Sequence, residues 1–196
     1  MNITVKDTAT PKLKALAKKL DGVTISQAAG KAVQVLLVDH FKDRQAEGNK
    51  QGWPSQGFWY GVTGSVANAT AVSSVTKTTA TVSIADARFA LRLFGGTITP
   101  KRKKALTIPL IAEAYALQGK GSIKDLIPGS KIIQSKERAH HGFIVTEQED
   151  GNLKFWFLLV KKTTHAPDRR ALPKDAEIEQ AAARASNRAV QLLAAA

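Results

Sequence analysis

From Thr24 to about Glu47, the residues Ile25, Ala28, Ala29, Ala32, Val33, Leu36, Leu37, His40 and Phe41 recur at three- and four-residue spacing. That is the period of a helix with one apolar face. Thr24 and Gln27 fit a capping-box pair at its start, Gly48 and Asn49 end it, and a shorter helix is expected from Pro11 to Leu20. The pattern then changes. From Ser65 to Ala85 threonine, valine, serine and alanine dominate, which predicts two strands, Ala71 to Thr76 and Thr81 to Ala85, around Lys77-Thr78-Thr79. Phe143 to Thr146 and Leu153 to Val160 flank Glu149-Asp150-Gly151-Asn152, and an Asp-Gly pair between alternating apolar runs is a strong hairpin signal. Helical spacing returns from Asp175 to Ala195, at Ile178, Ala182, Ala185, Ala189, Leu192 and Leu193. Residues Gly119 to Arg138 keep no period and contain Gly119, Gly121, Pro128 and Gly129, so a long loop or insertion is expected there.

This order predicts an α+β fold: a long N-terminal amphipathic helix packed on an antiparallel sheet of four or five strands, with a C-terminal helix. Residues 1–173 read as one domain in which 118–138 is the loop or insertion. Residues 174–196 form the last helix, which either covers the core or reaches a neighbouring subunit; small alanines allow close approach in both cases.

Composition narrows the function. In 196 residues with 43% hydrophobic content there is room for one substantial core. Cysteine is absent, which excludes disulfides, thiolate metal sites and cysteine nucleophiles. No apolar run approaches the roughly 20 residues that span a bilayer, and Met1-Asn2-Ile3-Thr4 lacks the order of a signal peptide, so a cytoplasmic origin is expected. Lysine and arginine (29) outnumber aspartate and glutamate (16), for a net charge of +13 and a pI near 10.1. Such a charge attracts nucleic acid or acidic protein surfaces, yet the cations are scattered along the chain.

The one basic run, Lys101-Arg102-Lys103-Lys104, is either a phosphate-contacting patch or a solvated strip that faces neighbouring proteins, and the second is expected. His140 and His141 are adjacent, so on a strand they point to opposite faces and cannot share a metal ion. His40 lies on the apolar side of the long helix, as a hydrogen-bonded core histidine does, and His165 is expected in a loop. No serine, histidine and acid trio has recognisable context, and no phosphate-binding glycine loop occurs. Acidic residues cluster only at Glu147 to Asp150 and in the last helix, too sparsely for a two-metal nuclease. Trp53, Phe58, Trp59 and Tyr60 are expected to anchor a glycine-rich loop on the long helix rather than to form a stacking surface. Neither catalysis nor a cofactor is expected.

Gly52-Trp53-Pro54, then Ala87 to Ile98 with Phe94-Gly95-Gly96 near its end, then Leu106-Thr107-Ile108-Pro109 follow one another in an order that resembles the tail-completion and virion-morphogenesis proteins of tailed bacteriophages. The resemblance covers roughly Ile25 to Pro109, and more weakly Pro167 to Pro173; it departs from the family pattern at Arg92-Leu93, where a histidine and a polar residue are expected. It implies a structural virion protein that completes or caps the tail and joins it to the head-neck complex. Its partners would be copies of itself in a hexameric ring, the tail tube protein, the head-neck connector proteins, and genome DNA passing through the lumen without sequence-specific contact; no membrane is involved. It would be assembled in the host cytoplasm and end in the virion. Trp53, Phe94, Gly95 and Gly96 would then be shape determinants, and Lys101, Arg102, Lys103 and Lys104 interface charges. The alternative is a basic nucleic-acid-binding module.

Overall fold

The computed structural model describes residues 9–48, 57–134 and 141–195. In chain order the elements are α1 (Ala9–Lys19), α2 (Gly22–Ala46), β1 (Thr70–Val75), β2 (Ala80–Ile84), α3 (Ala87–Phe94), β3 (Gly96–Ile98) and β4 (Leu106–Pro109). There follow α4 (Ala112–Ala116), α5 (Ile123–Leu126), β5 (Lys131–Gln134), β6 (His141–Glu147), β7 (Leu153–Val160), β8 (Thr163–His165) and α6 (Asp175–Ala195). The class is α+β, with every strand pair antiparallel. The described chain forms two compact units, one of residues 9–47, 57–89 and 170–195, the other centred on 90–134 and 141–169. Among the described residues no helix is long and apolar enough to cross a membrane.

In the first unit, α2 begins three residues earlier than its apolar period suggests, because Asp21 is the residue that caps it. The Asp21 carboxylate accepts hydrogen bonds from the Val23 and Thr24 backbone N–H groups at 3.2 Å and from the Thr24 hydroxyl at 2.7 Å. These orphan donors at a helix start need an acceptor. The same bonds, the Thr24 hydroxyl first, hold the Asp21 carboxyl below its usual range. Thr24 is thus a donor to the cap and not the cap itself.

The apolar stripe of α2 packs on α6 and on the β1–β2 hairpin. The four-stranded sheet, expected as its partner, belongs to the other unit. Phe41 is fully buried; its ring stacks on Trp59 (5.9 Å between centroids) and meets Phe89 edge-on (5.6 Å). Gln45 Oε1 accepts from the Trp59 backbone N–H at 3.2 Å, and the Arg44 guanidinium lies 5.2 Å from the Trp59 ring centroid. Trp59 therefore sits on α2 as an anchor, with Phe58 edge-on to it at 4.8 Å, while Tyr60 remains exposed. Gly30 in α2 lets the hairpin approach, since a Cβ there would lie 2.7 Å from the Ala80 Cβ.

In the second unit, the sheet order is β4-β7-β6-β5. Ala114, Ile127, Ile144 and Phe157 are buried together under α4 and α5. The stretch 119–138, expected as loop or insertion, supplies α5 and the edge strand β5. Four residues each are too short to show a period, and β5 becomes a strand through its pairing with β6. The β6–β7 hairpin turns where the Asp-Gly pair predicts. Asp150 accepts from the Asn152 backbone N–H (3.0 Å) and its side-chain amide (2.8 Å), which keeps the carboxyl below its usual range.

Candidate functional site

The candidate residues other than Trp53, which lies outside the described residues, gather along one stretch of the second unit and the helix that leads into it. α3 starts where the Asp86 carboxylate accepts from the backbone N–H groups of Arg88 (2.7 Å) and Phe89 (3.2 Å). Asp86 also binds the Arg88 guanidinium at 2.5 Å, and that hydrogen bond is the main reason its carboxyl titrates below the usual range. The Arg88 guanidinium in turn donates to the Gly64 carbonyl.

α3 stops at Gly95. Its φ of +71° is the left-handed conformation that ends many helices and that residues with a Cβ adopt only at a cost. Space forbids a side chain as well: a Cβ on Gly95 would lie 2.7 Å from the His165 carbonyl oxygen and 2.9 Å from Pro167 Cδ and N. Gly96, at φ +149°, completes the turn. The Asp168 N–H donates to the Arg92 carbonyl at 2.8 Å, tying this chain crossing to the last turn of α3. The result is a rigid corner from which Phe94 projects with 74% of its surface exposed.

After the corner, β3 pairs with β8, Gly96 opposite His165 and Ile98 opposite Thr163, so His165 lies on a strand rather than in a loop. β4 pairs with β7, Leu106 opposite Val160. Between these pairings, residues 99–105 on one side face only Lys161 and Lys162 on the other. The ribbon opens here, and Lys101, Arg102, Lys103 and Lys104 are all exposed in the wider strand, as are Lys161 and Lys162 in the narrower one. Among the described residues none of these six side chains forms an ion pair. Sequence reasoning found the first four and missed Lys161 and Lys162. The signal was there: extending the Leu153–Val160 strand through Thr163 to His165 and pairing it back on Thr97 places that dipeptide against the basic run.

Beside the opening lies a cavity of 230 Å³ whose lining mixes Leu117, Ile123, Leu126 and Phe157 with Lys103, Thr107 and Gln118. Elsewhere, His40 Nε2 is 3.0 Å from the Arg170 carbonyl oxygen, as a structural histidine on a helix face would be. His140 lies outside the described residues, and His141 opens β6. Among the described residues no three histidine, aspartate or glutamate side chains are close enough together to hold a metal ion. Glu147 pairs with Lys131 at 3.1 Å, and Glu113 with Lys154 at 3.5 Å.

Compared with protein-family models, curated proteins and solved structures, the chain matches none of them.

Proposed function

We propose that this chain is a structural assembly protein of a tailed-phage virion, which completes or caps the tail and joins it to the head-neck complex by closing into a ring of identical subunits. The observation that carries the reading is the corner at Phe94-Gly95-Gly96. A large aromatic side chain stands 74% exposed on a turn where Gly95 admits no Cβ. Exposed aromatics on rigid supports are what protein interfaces use as anchors, because little freedom is lost when they are buried. The ordered resemblance through Leu106-Thr107-Ile108-Pro109 supports it too. So does the edge strand β5, whose Ile132 is 66% exposed on a strand that is outermost among the described residues.

The mechanism is geometric. A subunit offers one surface at the Phe94 corner and the basic opening and another at the sheet edge, and unlike surfaces that meet close a ring when the rotation between subunits divides a full turn. Phe94→Ala should leave the protein folded while particles lose it; Gly95→Val and Gly96→Val should block its incorporation. Virions that incorporate all three variants normally would refute the reading.

The six clustered cations favour a second reading, a nucleic-acid-binding module. A log-log slope of duplex-DNA affinity against salt of about −4 or steeper would support it, and no binding at about 0.15 M salt would remove it.

A further inference from the structure

The two ends of β7 carry opposite charge. At its start, the turn 148–152 presents Glu149 and Asp150 beside Glu147, and Leu153, the first residue of the strand, is 43% exposed. The cations nearest in register are already engaged, Lys131 with Glu147 and Lys154 with Glu113, and Glu149 and Asp150 have no cation partner among the described residues. At the other end, Lys161 and Lys162 complete the opening that holds Lys101 to Lys104. The eight residues of the strand separate the ends by about 25 Å at some 3.3 Å per residue. That exceeds the roughly 8 Å over which salt leaves exposed charges in contact. Within one subunit the two ends therefore do not neutralise each other.

They are complementary in a second respect. The acidic end adds an exposed leucine to its carboxylates, and the basic end adds a cavity of 230 Å³ in which Leu117, Ile123 and Leu126 stand beside Lys103 and Thr107. A carboxylate-rich turn followed by one aliphatic side chain is the chemistry that such a cavity and cationic rim accept.

We propose that the acidic turn and Leu153 of one copy dock on the cationic opening and adjoining cavity of the next, a head-to-tail contact that rests on the ring reading above. Two different surfaces of one subunit meet, so the contact repeats, and it closes when the rotation per subunit divides a full turn. Like charges replace the pairs whenever two copies meet by the same end, which rejects head-to-head association.

The test is a charge exchange. In one variant the opening is reversed (Lys101→Glu, Arg102→Glu, Lys161→Glu, Lys162→Glu), in another the turn is reversed (Glu149→Lys, Asp150→Lys), with circular dichroism to confirm that both fold. Sedimentation should show wild-type oligomers, association weakened about tenfold or more in each variant alone, and recovery when the two are mixed, because each then meets a complementary end. Leu153→Ser should weaken association without altering its response to salt. Oligomers unaffected by either reversal, or no recovery in the mixture, would overturn the contact and leave the ring reading standing. A wild-type chain that stays monomeric at tens of micromolar would remove the ring and this contact together. Duplex-DNA binding by that monomer, lost in the opening variant, would then assign the cations to phosphates.

Discussion

Gly95→Ala offers the sharpest test of the corner, and Gly129→Ala is its control. Both glycines have positive φ, +71° and +75°, and both lie in the second unit. Forcing a residue with a Cβ into this conformation costs roughly 1–2 kcal/mol at either position. At Gly129 nothing lies within 4 Å of the added carbon, so that cost is the whole effect. At Gly95 the carbon would also meet the His165 oxygen at 2.7 Å and the Pro167 nitrogen at 2.9 Å. Both are backbone atoms, so relief requires the β3–β8 pairing to shift from its first residue pair onward. Losing a hydrogen bond there adds about 0.5–1.5 kcal/mol, for a total of roughly 1.5–3.5 kcal/mol at Gly95. Urea unfolding should give that ordering, and hydrogen exchange should show the Gly96–Ile98 amides losing protection in Gly95→Ala alone. Equal costs at the two positions, with β3 protected in both, would refute the claim that the corner is sterically closed.

In α2, an alanine for glycine normally stabilises by up to about 1 kcal/mol, but Gly30→Ala should destabilise, because its Cβ would press on Ala80 at 2.7 Å. Adding Ala80→Gly should recover at least half of that loss in a double-mutant cycle of urea midpoints. Phe41→Ala should cost about 3–5 kcal/mol, since the ring is 0% exposed, whereas Phe94→Ala should stay within about 0.5 kcal/mol of wild type in the same assay. Asp86→Asn keeps an oxygen that can cap α3 but removes the charge, and because the Asp86 carboxyl titrates below its usual range its contribution is present above about pH 4 and fades as pH falls through the folded-state value. The stability gap between wild type and Asp86→Asn should therefore be constant from pH 7 to about 5 and narrow by pH 3, within about 1 kcal/mol throughout, as suits a pair whose arginine is exposed.

Long periodic segments were legible in the sequence and short ones were not. The last helix runs from Asp175 to Ala195 as its spacing predicts, and the β6–β7 hairpin turns on its Asp-Gly pair. Asp21 was missed because the apolar period starts at Ile25, and a cap is read by its bonds to Val23 and Thr24, not by hydrophobicity. β5 was missed because Ile132 and Ile133 amount to a strand only beside β6. The partner of α2 could not be assigned from its stripe alone, since an apolar face accepts a hairpin and a helix as readily as a wider sheet; contacts such as Gly30 on Ala80 decide it. Of the site, the glycine corner was visible as Gly95-Gly96, but the cationic opening was only half visible. Its other half, Lys161-Lys162, lies some sixty residues away along the chain and joins through strand register.

The division of labour between the two units follows from where each keeps its aromatic and charged side chains. The first unit buries Phe41 and Phe89 against Trp59 and seats α2 between a hairpin and α6, so substitutions there should act through stability. The second leaves Phe94 largely exposed, leaves six cations around one ribbon opening, and carries uncompensated carboxylates at the far end of the same strand. Leaving such groups unburied gains the subunit nothing by itself: solvent-exposed charges contribute little to folding, and an exposed ring forgoes the burial that stabilises a core. In the proposed ring, a neighbouring copy would cover the exposed ring and compensate the charges that the second unit leaves open. Substitutions at Phe94, Glu149 and Lys161 should consequently change association while leaving the unfolding midpoint in place, the reverse of the pattern at Phe41 and Gly30.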